Sequence, residues 1–420
     1  GEIEKKIIDI ARKILVPVLT YHDIEVQMNE RETKKVNVTL YRNRYSELDE
    51  YWMDCPEVFH EVYPGNPKDD FRAVQTRLYR EVVLRFIKEH TERGRGLLFS
   101  TSEVNTTLAV PAAIDDEYKN DPMFKDVLVH HYNHTIVADG MPEYNTWMFE
   151  RLKIANEFKW VIHDYKVDLV KLTGAVSNFI TGCSTYHTHI LRTDIFKEFA
   201  HKIVEDDLFG NSEGSDIERW QGKDIQALVG EYKQKLGVDN NAIFFAKLYQ
   251  DEGLKNEFIR KFIEIKKKQK AAFIEELFKD TFGKLYLTRE KLKENNIDWL
   301  NMPFFTFVRR FVDYKCPDLI IDILSDLLFR EEIIKANAAI FTGGREFSNF
   351  YDYQRKRIED LTAQVKEMLY RLIFVENHNI FTSWLIQQAT DFGGMLSWDG
   401  KEAGPTSFGN SQQNCAPTLA

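Results

Sequence analysis

From Tyr144 to about residue 391, apolar side chains recur every three or four residues with charged residues between them. That spacing gives each helix one apolar face, and every such face needs something to cover it. The run divides into segments. Residues 146–173 and 194–206 read as helices, and 241–280 carries Phe244, Leu248, Phe258, Phe262, Phe273 and Leu277. Pro303 and Pro317 frame further helices. Residues 318–341 hold Leu319, Ile320, Ile323, Leu324, Leu327 and Leu328, a pattern of burial on most sides. In 346–376, Ile358, Leu361, Val365, Met368 and Leu372 keep heptad spacing for two heptads, enough for a bundle helix and too short for a coiled coil. A last helix is expected over 378–391.

The N-terminal part differs. Ile3, Ile7, Ala11, Ile14 and Leu15 predict a helix that Pro17 stops, and Val36, Val38 and Leu40 alternate with polar residues as in a strand. Residues 69–91 form a strong amphipathic helix through Val74, Leu78 and Val82. Residues 97–99 and 106–110 read as short buried strands, and 111–145 as irregular. The expected fold is predominantly α, of the α+β kind, with a large helical body and a minor β portion in the N-terminal third. The expected regions are a mixed α/β part over 1–145, a helical part over 146–392 and an extended C-terminal arm over 393–420. The loop 210–216, rich in Gly, Ser and Asp, is the best candidate for an internal boundary.

Charge and cysteine content limit the function classes. The 420 residues carry a formal charge of −10. Dense neutralisation of nucleic-acid phosphates needs a basic stripe, so that mode is disfavoured. The run Lys266-Lys267-Lys268-Gln269-Lys270 reads as a solvated helix face. Cys55, Cys183, Cys316 and Cys415 are far apart and form no CxxC pair, which argues against a disulfide framework or zinc knot. No segment reaches the ~18–20 apolar residues of a membrane span, and a reducing compartment is expected.

Histidines are the sharpest local feature. His130, His131 and His134 form HHxxH, and His187 and His189 form HxH. Neutral imidazoles at such spacings can bind zinc, copper or iron. His130 and His134 share a face on a helix, and His187 and His189 share a face on a strand. These five are the candidate metal residues. Cys183 and Ser184 are candidate nucleophiles near His187. Thr342-Gly343-Gly344-Arg345 is a candidate anion site, and Asp115–Glu117 and Glu205–Asp207 are acidic clusters. Phe304, Phe305 and Phe307 beside Arg309 and Arg310 suit an interface. No phosphate loop, GxGxxG or GxSxG is present, no catalytic residue is assigned and no cofactor is expected.

Thirty Phe and a weakly charged tail of 28 residues bear on the choice. Ordering such a tail costs about 1 kcal/mol or more per residue in backbone entropy, so it needs a holder. A neighbouring copy is one. The sequence therefore points first to a structural, self-assembling protein, a viral or phage capsid or shell subunit, whose partners are other copies of itself and loosely enclosed nucleic acid, without a membrane. It would sit in a virion or the host cytoplasm. The alternatives are a metal-dependent enzyme using the His cluster and an RNA-associated, nucleoprotein-like module.

Overall fold

The computed structural model describes residues 13–28, 32–46, 48–59, 70–92, 96–114, 118–135, 143–204, 216–279, 288–309, 311–344, 350–376, 378–397 and 406–419. The chain divides into two compact units, Gly1–Asn211 and Ser212–Ala420. Helices and small sheets alternate through both, a mixed α and β architecture. Among the described residues no helix is long and apolar enough to cross a membrane.

In the first unit, β1 (Leu15–Gln27), β2 (Thr33–Asn43) and β3 (Tyr51–Asp54) form an antiparallel sheet in that order. Val36, Val38 and Leu40 of β2 point inward as their alternation predicts, while Asn37 faces out. The expected N-terminal helix lies outside the described residues except at its end, where Leu15 opens β1. Helix α1 (Asp70–His90) serves two cores. Its Val74, Leu78 and Val82 pack on the β1–β2 face, and its Ala73 and Leu84 join a larger core. Buried Arg80 on the same helix donates to the Leu152 carbonyl at 2.7 Å.

The larger core surrounds a parallel sheet of β4 (Leu98–Ser102), β5 (Leu128–Asn133) and, later in the chain, Phe179–Gly182. Between them come β6 (Glu143–Asn145), β7 (Ile162–His163) and β8 (Lys166–Asp168), paired in the order β6-β8-β7. Helix α2 (Leu169–Val176) comes next, its first turn capped by Asp168 accepting from the Lys171 amide at 3.0 Å. The strand Phe179–Gly182 is β9, and α3 (Thr185–Ile190) succeeds it. Residues 106–110, expected as a strand, lie in or just past a 3-10 helix over Val104–Ala109.

The second unit holds a five-stranded, all-parallel sheet, so β structure is not confined to the N-terminal third. In chain order its parts are α4 (Lys223–Leu236), α5 (Asn241–Gln250), α6 (Glu252–Leu277), β10 (Phe304–Val308), α7 (Leu319–Ser325), α8 (Leu327–Lys335), β11 (Ala339–Gly343), α9 (Phe350–Gln364), β12 (Leu372–Val375), α10 (Ile380–Ala389), β13 (Phe392–Gly394), α11 (Thr406–Gln413) and β14 (Thr418–Leu419). The sheet order is β12-β11-β10-β13-β14. Numbered within the sheet this is 3-2-1-4-5, the doubly wound arrangement.

Period-two alternation distributes the cores. Phe304, Ala339, Phe341, Ile373 and Val375 face α6 and α10, and Phe307, Ile340, Leu372 and Phe374 face α7 and α9. Every residue of β11 and β12 is buried. A strand covered on both faces reads as a continuous apolar run, which periodicity alone does not separate from a buried helix. For that reason 318–341 and 346–376 look uniformly helical in sequence.

Residues 393–397 and 406–419 differ from the expected extended arm. They supply β13, α11 and β14 of this unit. Asn414, fully buried, donates to the Trp220 and Asn410 carbonyls at 2.9 and 3.0 Å and accepts from the Gly222 amide at 3.0 Å. Asn410, Ser411 and Ala416 of the same segment are also buried.

The run 266–270 also departs from a solvated face. Lys267 and Lys268 are exposed, but Lys266 and Lys270 are buried. Lys266 Nζ donates to the Gln388 and Thr390 carbonyls at the end of α10. Lys270 Nζ donates to the Met302 carbonyl at 2.8 Å and pairs with Asp391, whose Oδ2 accepts from the Phe304 amide at 2.7 Å. The two lysines thereby fix the start of β10 and the turn into β13.

Phe341 packs on Phe304, Phe273 and Trp299 with centroids 4.7, 5.0 and 6.0 Å away. Phe341→Ala is expected to cost about 3–5 kcal/mol of stability in urea unfolding. Leu328→Ala, at a side chain 72% exposed, is expected to cost less than about 0.5 kcal/mol.

Candidate functional site at the carboxyl ends of β4, β5 and β9

In the first unit, β4, β5 and β9 run parallel, so their carboxyl ends lie along one edge. Thr101 registers with His131, and Asn133 with Gly182. The inward face of β5 carries Val129, His131 and Asn133, 3%, 0% and 0% exposed. The strand thus begins apolar and turns polar toward the edge where α/β sheets bind ligands.

Hydrogen bonds assign the ring protons. Thr101 Oγ1 donates to the His130 carbonyl at 3.2 Å, so its lone pair accepts from His131 Nδ1 at 3.0 Å. That makes His131 Nε2 a bare acceptor, buried and without a partner among the described residues. His187 is the opposite tautomer. Its Nδ1 accepts from the Cys183 amide at 3.3 Å and lies 2.9 Å from Cys183 Sγ, so its Nε2 carries a proton, also buried and without a partner. Neither end of the Asn133 amide has a partner. An unmet buried polar group costs about 1–3 kcal/mol. Near this edge, β5 carries one unmet acceptor and one group that is both, and α3 carries one unmet donor.

Burial holds both rings neutral. Desolvation first, then the neighbouring His130 and His134, lowers His131 to about 3. Desolvation and then His134 lower His187 to about 4. His134 thus acts on both rings. Directly after β4, Glu103 has φ 67° and ψ 148°, a conformation that side chains beyond glycine rarely adopt. Its carboxylate accepts from Thr135 Oγ1 at 2.6 Å.

The five histidines expected at a metal do not converge on one. Among the described residues no three His, Cys, Asp or Glu side chains are grouped to hold a metal ion. The secondary structure is the reverse of what the spacings need. His130 and His131 lie on a strand and face opposite sides, and His187 and His189 lie on a helix, where a separation of two splits them. His130 is held by Ser100 Oγ at 2.9 Å and Thr181 Oγ1 at 2.8 Å and stacks on Phe179. His134 packs against Tyr132, and His189 is exposed.

The Cys183–His187 pair is real but buried, each residue 1% exposed. A neutral imidazole next to the thiol gives no cationic partner for a thiolate. Ser184 caps α3 by accepting from the His187 amide at 3.1 Å.

In the second unit the expected anion site is a close contact. A Cβ on Gly344 would lie 1.5 Å from the Arg309 carbonyl, and one on Gly343, at φ 145°, would lie 2.3 Å from the Val375 carbonyl. The glycines let three strand ends meet. Arg345 and both acidic clusters, Asp115–Glu117 and Glu205–Asp207, lie outside the described residues, as does Arg310. Phe304 and Phe307 are core residues, and buried Arg309 donates from the end of β10 to the Leu396 carbonyl and Ser397 Oγ beyond β13. Sequence reasoning missed Thr101 and Asn133. Their only trace is the alternation of Val129, His131 and Asn133.

Acid should destabilise this unit. An unfolded imidazole titrates near ~6.5, so below that pH the unfolded chain binds protons that native His131 and His187 refuse. Stability is fully present above about pH 6.5 and falls as pH drops toward the native values of about 3 and 4. Each ring should cost on the order of 2 kcal/mol by about pH 5. Urea unfolding at the two pH values measures the loss, and His187→Gln should shrink it by its own share.

No protein-family model matches the chain, and no curated protein matches it, so the functional reading rests on the geometry.

Proposed function

We propose that the protein binds a neutral, hydroxyl-rich small molecule, such as a sugar, at the carboxyl edge of β4, β5 and β9. The observation that carries this reading is the unmet set of His131 Nε2, His187 Nε2–H and the Asn133 amide. A hydroxyl both donates and accepts, so a polyol answers a mixed set of this kind. Neutral imidazoles offer little to an anion, which weighs against a phosphate or carboxylate at this edge. The strained Glu103 at the end of β4 adds support, because such backbone persists where binding or chemistry requires it.

The second unit offers a separate place for a ligand. In a doubly wound sheet the crevice lies where the strand order reverses, here between β10 and β13, and Arg309 stands at that point.

The shell-subunit reading drew its force from a tail in need of a holder. The described part of that tail is held within its own unit through Asn414, so it requires no neighbouring copy. What favours self-assembly now is the exposed run Leu327, Leu328 and Phe329 at the start of α8. A nucleoprotein-like module needs a continuous basic surface, to which the buried Arg80, Lys266 and Lys270 contribute little because they donate to backbone carbonyls.

A panel of monosaccharides, apolar compounds and inorganic anions, screened by ligand-observed NMR, tests the proposal. Sugars should bind, and Asn133→Leu should abolish binding while leaving the melting temperature equal or higher, because an unmet polar group is removed. Absence of sugar binding, together with a lower melting temperature in Asn133→Leu, sinks it. Light scattering tests the shell reading, which a monomer at high concentration overturns.

A further inference from the structure

The second unit has an open surface groove of about 340 Å³ at the amino ends of β10 and β13, the sheet edge opposite Arg309. One wall is the α6 surface bearing Phe262 and Ile263, and the other is formed by Leu300 and Phe392. Ile263, Leu300 and Phe392 are 49%, 40% and 50% exposed, so apolar surface faces open space here. Three ammonium groups, those of Lys266, Lys267 and Lys270, and the Asp391 carboxylate border it. Lys270 is spent on Asp391 and the Met302 carbonyl. Lys266, 6% exposed, gives two of its three N–H groups to the Gln388 and Thr390 carbonyls and has a third left. Lys267 is exposed and has no ion-pair partner among the described residues. A groove of this size with apolar walls and a few polar groups at one end fits a small ligand.

We propose that this groove binds a small amphipathic carboxylate, its head on Lys266 and Lys267 and its carbon chain against Phe262, Ile263, Leu300 and Phe392. An apolar compound without a charge would leave the Lys266 N–H unmet, and a bare anion would leave the walls wet. The site belongs to the second unit alone and is independent of the sugar edge of the first, so failure of one leaves the other standing.

The position of Lys266 gives the site a pH signature. Burial lowers its ammonium to about 8, against the raising effect of Asp391 beyond α10. Lys270 on its own helix lowers it further, and Cys415 beyond α11 raises it. A carboxylate needs the protonated form, so affinity should fall as pH rises through this value.

Isothermal titration of the full chain with octanoate, 1-octanol and inorganic phosphate tests the inference. Octanoate should bind, with octanol and phosphate each about tenfold weaker or worse. Lys267→Glu, at an exposed position that leaves the core untouched, should weaken octanoate about five- to tenfold. Octanoate affinity should drop across pH 8 in the unaltered protein. No octanoate binding, equal binding of octanol or phosphate, or an unchanged affinity in Lys267→Glu overturns the proposal.

Discussion

A parallel strand cannot be joined to its neighbour by a tight turn. The chain must cross back along the sheet, and the crossing element lands on one face or the other. In the second unit this constraint produces nearly everything else. Helices α7 and α9 cover one face and α10, with α6, the other. Strands between two covered faces carry no charged residue, and all their carboxyl ends fall on one edge. The polarity expelled from the strand bodies collects at the ends. Arg309 follows the last residue of β10, and at the far edge the Lys270–Asp391 pair holds the first.

The same constraint in the first unit gives β5 its gradient from Val129 through His131 to Asn133. Leaving several hydrogen-bonding groups of Asn133, His131 and His187 unmet costs the fold a few kcal/mol. The surrounding core of Phe196, Leu191, Ile180 and Val129 is large enough to carry that cost. Fold and site are thus opposed in free energy at this edge, as they are wherever buried polar groups await a ligand.

How much of this was legible in sequence depends on the covering of each element. Half-covered elements were readable. Val36, Val38 and Leu40 announced β2, and Val74, Leu78 and Val82 announced α1, because one face is wet and the periodicity survives. Doubly covered strands were not. Leu372-Ile373-Phe374-Val375 continues the heptad-like spacing of α9 and hides the break between them. The lysines at 266 and 270 looked solvated because charge normally means water, and only distant partners explain their burial: the Gln388 and Thr390 carbonyls for Lys266, and the Met302 carbonyl and Asp391 for Lys270. The histidines were found by residue type, yet their pairing was inverted, since it turned on whether each short run is strand or helix. Asn133 could not be singled out, because nothing local separates an unmet buried amide from an exposed one.

Asn414 closes the second unit across 194 and 192 residues of chain, to Trp220 and Gly222. Contacts of that range repay their loop-closure entropy only after the intervening strands have paired. The region around α11 is therefore expected to dock after those strands have paired. In hydrogen-exchange terms, the amides of Gly222 and α11 should report an opening well below the global unfolding free energy, while those of β11 report the whole. A fold whose final fastening joins the two ends of a unit spends part of its time with that fastening undone.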